Sequence, residues 1–285
     1  MQNHIAMKNV RKLFSVVFML LCFTAVEDMK AQNVLDGVYV PEHAPSRQVI
    51  AFTPLREADV MWLKRIWRVI DLREKINHPL YFPVEPIMDR RSLTQVIYQA
   101  VLEGTITPYG TLDDEFTVQL TKAEVEQSTT RVDTEFIENE YGEIEPVPIK
   151  EEFNPGNVKR YRLKEEWFFD NQKSVLEARI IGICPVAEKF DENGDYKGEL
   201  PLFWIYYPEA REIFSKEPVY NVHNDAERRT LEDIIWKRRF SSYIYKETNV
   251  YDRKIQDYKI DLDLLLEGQK IEDMIFNFEQ DLWEY

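Results

Sequence analysis

Between Val158 and Tyr207 the chain alternates apolar and charged residues on either side of a tight-turn signal, a pattern that commits this region to an antiparallel sheet. In the first run Tyr161 and Leu163 share one side while Arg160, Arg162 and Lys164 share the other, and Leu176, Ala178 and Ile180 then alternate against Glu177 and Arg179. Side chains on a strand point to opposite faces with a period of two, so each run has one apolar and one wet face. Asn193-Gly194 is the dipeptide that two-residue hairpins favour, because both central residues need positive φ. The unbroken apolar run "LPLFWIYY" after it reads as a strand covered on both faces. Three or four antiparallel strands are expected here.

Helices are expected on both sides of this sheet in the sequence. In "TPLREADVMWLKRIWRVIDLREKI", Thr53 is a good N-cap with Pro54 at the first helical position. Ala58, Trp62, Ile66, Val69 and Ile76 then follow a helical spacing, which predicts a long amphipathic helix with Trp62 and Trp67 on its apolar side or edge. "HPLYFPVEP" is a proline-punctuated loop. Ser92-Leu-Thr-Gln is a capping box opening a helix whose apolar face is Leu93, Val96, Ile97, Ala100 and Val101, stopped by Gly104. A short strand in "TITPYG" follows. Pro208 opens another helix, and Asn224 with Glu227 caps one carrying Leu231, Ile234 and Ile235, with Asp233 and Lys237 at a supportive spacing. Ile271, Met274, Ile275, Phe278 and Leu282 mark a last amphipathic helix. The fold class is therefore α+β: amphipathic helices packed on a small, mostly antiparallel sheet. Residues 113–152 are acidic and poor in apolar clusters, and they read as a long mobile loop within a single domain spanning 53–285.

Lys8, Arg11 and Lys12 precede an apolar run from Leu13 to Val26, the two parts of a secretory signal peptide. The run is too short to span a bilayer, which takes roughly 20 apolar residues. Cleavage is expected between Ala31 and Gln32. Cys22 follows bulky Leu21 where a lipobox needs a small residue, so no lipid anchor and no direct membrane insertion are expected. Residues 32–52, with Pro41 and Pro45 and little periodicity, read as an extended arm. Past Ala31 the chain carries 32 basic against 49 acidic residues, a net −17 that repels nucleic acid and anionic lipid. Cys184 then stands alone, flanked by Ile183 and Pro185, and reads as a buried structural thiol.

Catalytic signatures are missing from the sequence: no phosphate loop, no G-x-G-x-x-G, no H-E-x-x-H, no G-x-S-x-G and no C-x-x-C. His43, His78 and His223 are isolated. "DENGD" resembles the start of a calcium loop, but Tyr196 stands where glycine is needed and Leu202 where the bidentate glutamate belongs. Glu165 and Glu166 beside Trp167 and Phe168 raise glycoside processing. Adjacent strand residues face opposite ways, however, so a solvated strand end is the expectation. No catalytic residue, cofactor or metal is assigned. A periplasmic carbohydrate-binding or glycoside-processing protein stays as the alternative.

The stretches "LKEEWFFDNQKSVLEARIIGICPVAE", "LFWIYYPEAREIF" and "LEDIIWKRRFSSYIYKETNVYDRKI", with "RIWRVIDLREKINHPLYFP" before them, resemble the GldN family of Bacteroidetes, called PorN in non-motile bacteria. That resemblance implies a non-enzymatic periplasmic component of the type IX secretion and gliding machinery. It also implies self-association within a ring under the outer membrane, built with the lipoprotein GldK/PorK, and contact with the periplasmic region of the motor-linked GldM/PorM. Aromatic residues near helix faces and the chain end commonly anchor interfaces. On that ground Trp62, Trp67, Phe278, Leu282 and Trp283 are the candidate partner-binding residues, with core packing the first expectation for Trp62 and Trp67.

Overall fold

In the computed structural model the described residues are 46–138, 144–151, 153–190, 196–221, 224 and 226–282. Both the signal segment with its Ala31/Gln32 junction and arm residues 32–45 lie outside them, as do residues 191–195, where the Asn193-Gly194 hairpin turn is expected, and Trp283. In chain order the strands are β1 (Val60–Asp71), β2 (Pro108–Tyr109), β3 (Arg131–Glu138), β4 (Ile144–Glu151), β5 (Val158–Asp170), β6 (Val175–Phe190), β7 (Tyr196–Pro201), β8 (Trp204–Tyr206), β9 (Pro218–Val219), β10 (Arg229–Thr230) and β11 (Tyr243–Glu247). The helices are α1 (His78–Tyr81), α2 (Leu93–Glu103), α3 (Lys122–Thr129), α4 (Tyr207–Lys216), α5 (Leu231–Trp236) and α6 (Leu262–Asp281). Seven strands form one sheet in the order β11-β1-β5-β6-β8-β2, with β7 also on β6, and every pairing in it is antiparallel. The α+β class is as expected, and the sheet is larger than the sequence suggested.

The long N-terminal helix expected over Thr53–Ile76 is instead strand β1, an interior strand of the sheet between β11 and β5. Ile66 to Ile70 are all buried, so the alternation that betrays a half-wet strand is erased where the sheet is covered on both faces. Val60, Trp62, Ile66, Trp67, Val69 and Ile70 are β-branched or aromatic, types that fit a pleated surface better than a helix. Every cation on β1 also finds a carboxylate on a neighbouring element: Lys64 meets Glu247, Arg65 meets Glu166 and Arg68 meets Glu165.

Directly paired residues share a face of the sheet. The pairs Ile70↔Tyr161, Arg68↔Leu163 and Ile66↔Glu165 therefore define one face, and Val69↔Arg162 and Trp67↔Lys164 the other. The first face carries two apolar clusters. At one end Ile70, Tyr161, Leu163 and Ile183 pack with Leu93, Val96, Ile97 and Val101 of α2, Phe214 of α4 and Leu231, Ile234 and Ile235 of α5. At the other end Ile66 and Ile244 pack with Ile271 and Ile275 of α6. Helix α2 is capped as read: Ser92 accepts from Gln95 N, the Gln95 side chain accepts from Ser92 N, and Gly104 closes the helix at φ 77°.

Three further expectations are revised. Helix α5 is capped by Thr230 and not Asn224, because the residues before it form the β9–β10 pair; the Asp233–Lys237 contact is present at 3.0 Å. The apolar run after Asn193-Gly194 is broken into β7 and β8, and its strands return on β6 with Lys189 opposite Gly198. The acidic stretch expected as a loop holds α3, capped by a Thr121–Glu124 box and anchored by fully buried Val125, and the antiparallel β3–β4 pair. A local cap and one apolar anchor suffice for a two-turn helix that composition alone disfavours.

Candidate functional site

Between the two apolar clusters of the first face lies a seam of buried charge. Glu165 is 0% exposed and Arg68 4%. Arg68 Nε donates to Glu165 Oε1 at 2.6 Å, Arg238 donates to both carboxylate oxygens at 2.7 and 3.2 Å, and Trp167 Nε1 donates at 3.0 Å. Arg68 Nη2 reaches on to Glu272 of α6 at 2.9 Å. One carboxylate thus ties β1, β5 and the segment after α5 together, and Arg68 ties them to the C-terminal helix. Arg238 holds φ 50°, a left-handed conformation that costs a non-glycine residue energy and persists where the surroundings fix it. Burial alone would push the Glu165 carboxyl up, but the charges of Arg238 and Arg68 and the bonds to Glu165 outweigh it and hold it below the usual carboxylate range.

Glu165 is therefore the centre of a buried ion network, which corrects the solvated strand end expected for it. Its neighbour Glu166 points to the opposite face and takes Arg65 Nε at 2.9 Å. The two carboxylates that raised glycoside chemistry are back to back across the sheet, each engaged by arginine, an arrangement that cannot flank one scissile bond.

On the second face Trp67 packs with Cys184 and Trp204, and at 4% exposure it belongs to the core. Of its two expected roles, core packing and interface anchor, its position under a loop agrees with the first. Asp114 of that loop accepts from Trp67 Nε1 and its backbone oxygen accepts from Lys164 Nζ. Phe116, at φ 58°, lies edge-on to Tyr109 and Trp204, and a β-carbon on Gly182 would come within 2.4 Å of its ring. Burial pushes the Lys164 ammonium down and the Cys184 thiol up to about 12, so the cysteine is inert as a nucleophile at neutral pH. Arm residues 46–52 lie against the body: Arg47 pairs with Asp233, Arg211 donates to Ile50 O at 2.8 Å, and Phe52 meets Trp236 at 5.2 Å. This portion of the arm has a core to bury into, contrary to expectation.

The remaining candidates converge on α6. Trp62 of β1 stacks on Phe278 with centroids 4.7 Å apart and planes at 24°. Beside that pair runs a groove of about 470 Å³ lined by Lys270, Asp273, Met274, Asn277, Phe278 and Asp281. Leu282 is 42% exposed. Gly268, Ile271 and Ile275 turn inward, and Gly268 sits so close to β11 that a β-carbon there would lie 2.7 Å from Ile244 O. Glycine is what lets the helix close over the sheet's edge strand. A double-mutant cycle on Trp62→Ala and Phe278→Ala, read by chemical denaturation, is expected to give a coupling of about 0.5–1.5 kcal/mol; additive effects would mean the rings do not support each other.

Arg238, Glu272, Asp114, Phe116 and Gly268 were not singled out from sequence. A φ-strained arginine and a plugging phenylalanine carry no local signal, although a lone glycine inside an otherwise regular helix pattern does hint at close backbone approach.

A sequence profile described as "Gliding motility associated protein GldN" matches residues 55–284, which spans β1 through α6 and therefore the whole seam. The chain belongs to the GldN family. A comparison with curated proteins returned no match. As a GldN-family member the protein is a gliding-motility-associated component of the type IX secretion machinery. Among the described residues, no helix of this GldN chain is long and apolar enough to cross a membrane, and no group of three or more His, Cys, Asp or Glu is placed to hold a metal ion.

Proposed function

We propose that the chain is a non-enzymatic structural component of the periplasm, exported and cleaved between Ala31 and Gln32. It forms a ring with the lipoprotein GldK/PorK at the inner face of the outer membrane and links that ring to the motor-associated GldM/PorM. Family membership over residues 55–284 is the observation that carries this reading. Two features agree with it. The buried carboxylate most open to a catalytic reading is saturated by four N–H donors from two arginines and a tryptophan, and the C-terminal helix leaves large apolar groups exposed beside a stacked aromatic pair.

Within this reading Trp62, Phe278, Leu282 and Trp283 form the partner-binding edge, and Trp67 does not. The test is a pull-down of purified lipoprotein with the mature chain at micromolar concentration, a binding free energy of about −8 kcal/mol. The intact chain is expected to be retained, and a Phe278→Ala/Leu282→Ser variant that still unfolds cooperatively is expected to be lost. Failure of the intact chain to bind at that concentration overturns the proposal. Retention of the variant at full affinity moves the interface elsewhere on the molecule.

A further inference from the structure

The outward side of α6 carries large apolar side chains that the described chain leaves uncovered. Leu262 is 66% exposed, Leu265 49%, Leu266 51% and Phe276 59%; at 100° per residue they fall on one side of the helix, turned away from the buried Ile271 and Ile275, with exposed Gln269 and Asp273 between Leu266 and Phe276. The connection leading into the helix adds Val250, Tyr251 and Ile260, each more than three-quarters exposed. Scattered surface leucines need no explanation; three at the start of one helix, next to three more exposed apolar residues in the connection before it, do. Its inner side is held at three places, by Gly268 under Ile244 O, by Arg68 on Glu272 and by Phe278 on Trp62, so the stripe is presented already ordered and little entropy is lost when something covers it.

The charge around the stripe narrows what that something is. From Asp261 to Asp281 there are seven carboxylates and one cation, Lys270. Glu272 is engaged by Arg68 and Glu267 by Lys270, whereas Asp263 and Asp281 on one flank of the stripe and Glu279 on the other have no cation beside them among the described residues. A helix that lies on lipid carries lysine and arginine on its polar side, the reverse of this pattern. A second copy would bring the same acidic helix, and like charges across an interface are unfavourable.

We propose that this stripe docks into an apolar groove of a different protein whose rim is rich in lysine and arginine, a helix-in-groove contact with Leu262, Leu265, Leu266 and Phe276 as its anchors. The inference goes beyond the ring reading: it concerns side chains outside the edge named above and holds whichever assembly the chain enters.

The test places a photo-crosslinking residue at Leu265 of the full chain in its own cells, with the same residue at Leu112, a fully exposed position on the loop over the opposite face, as the control. An adduct with one other protein is expected from position 265 and not from 112, and the crosslinked peptide is expected to carry apolar residues with a net positive charge. Binding of that protein, once purified, is expected to weaken roughly tenfold in a charge-only variant, Asp263→Lys/Asp281→Lys. Because these residues are at the surface, the variant should melt as the parent does. Binding is also expected to be lost in Leu262→Ser/Leu265→Ser. An adduct with residues 32–45 of the same chain, with a second copy, with lipid or with an acidic peptide overturns the proposal. So does no adduct, or an affinity unchanged by both variants.

Discussion

Replacing Glu165 with alanine is expected to lower the unfolding free energy by about 3–5 kcal/mol, because it leaves Arg68 and Arg238 facing each other with their shared carboxylate gone. For a domain of this size that corresponds to a fall in melting temperature on the order of 10 °C. Glu166→Ala is the comparison. Glu166 also pairs with an arginine, but both partners remain partly in water, and such pairs are worth under about 1 kcal/mol. The acid dependence carries a second signature. A carboxyl held below its unfolded value of 4.5 contributes stability that is present above that pH and is lost as pH falls through the folded value. The parent chain should therefore lose stability below about pH 4.5 more steeply than Glu165→Ala does. Equal steepness, or a loss in the variant no larger than that of Glu166→Ala, would mean the seam is not the buried network described.

Gly268→Ala is expected to destabilise the chain by about 1–3 kcal/mol, against the helix propensities, which favour alanine over glycine by about 0.8–1.0 kcal/mol in a helix interior. The opposing contact is a backbone oxygen of β11, which cannot retreat without disturbing its ladder with β1. The damage should be local. Amide exchange is expected to accelerate through Leu262–Asp281 while β5 and β6 keep their protection. A stabilised variant would show that α6 rides higher on the sheet than 2.7 Å allows.

Much of the α+β outline was legible from local signals: the cap and stop of α2, the alternation of β5 and β6, and the apolar face of α6. What was not legible depended on neighbours distant in sequence. β1 reads as a helix in the sequence because burial on both faces removes its alternation, and the residues that cover it, Asp114 and Phe116 on one face and Ile271 and Ile275 on the other, lie far from it in the chain. The Glu165–Glu166 pair was correctly split onto two faces, since that follows from strand geometry alone. Its arginine partners are not legible, because Arg65 and Arg68 are placed by the register of β5 against β1 and Arg238 comes from the segment after α5, and no local pattern announces either. The reading of 113–152 failed for a related reason: composition measures what a segment can bury by itself, not what the rest of the fold offers it.

Electron cryo-microscopy of particles purified by a tag on this chain from the cell envelope tests the assembly account most directly. The expected result is closed rings containing the chain and a lipoprotein, with the seam from Arg68 to Glu272 intact in each copy. Particles the size of a single chain, with no lipoprotein present under mild extraction, would contradict it.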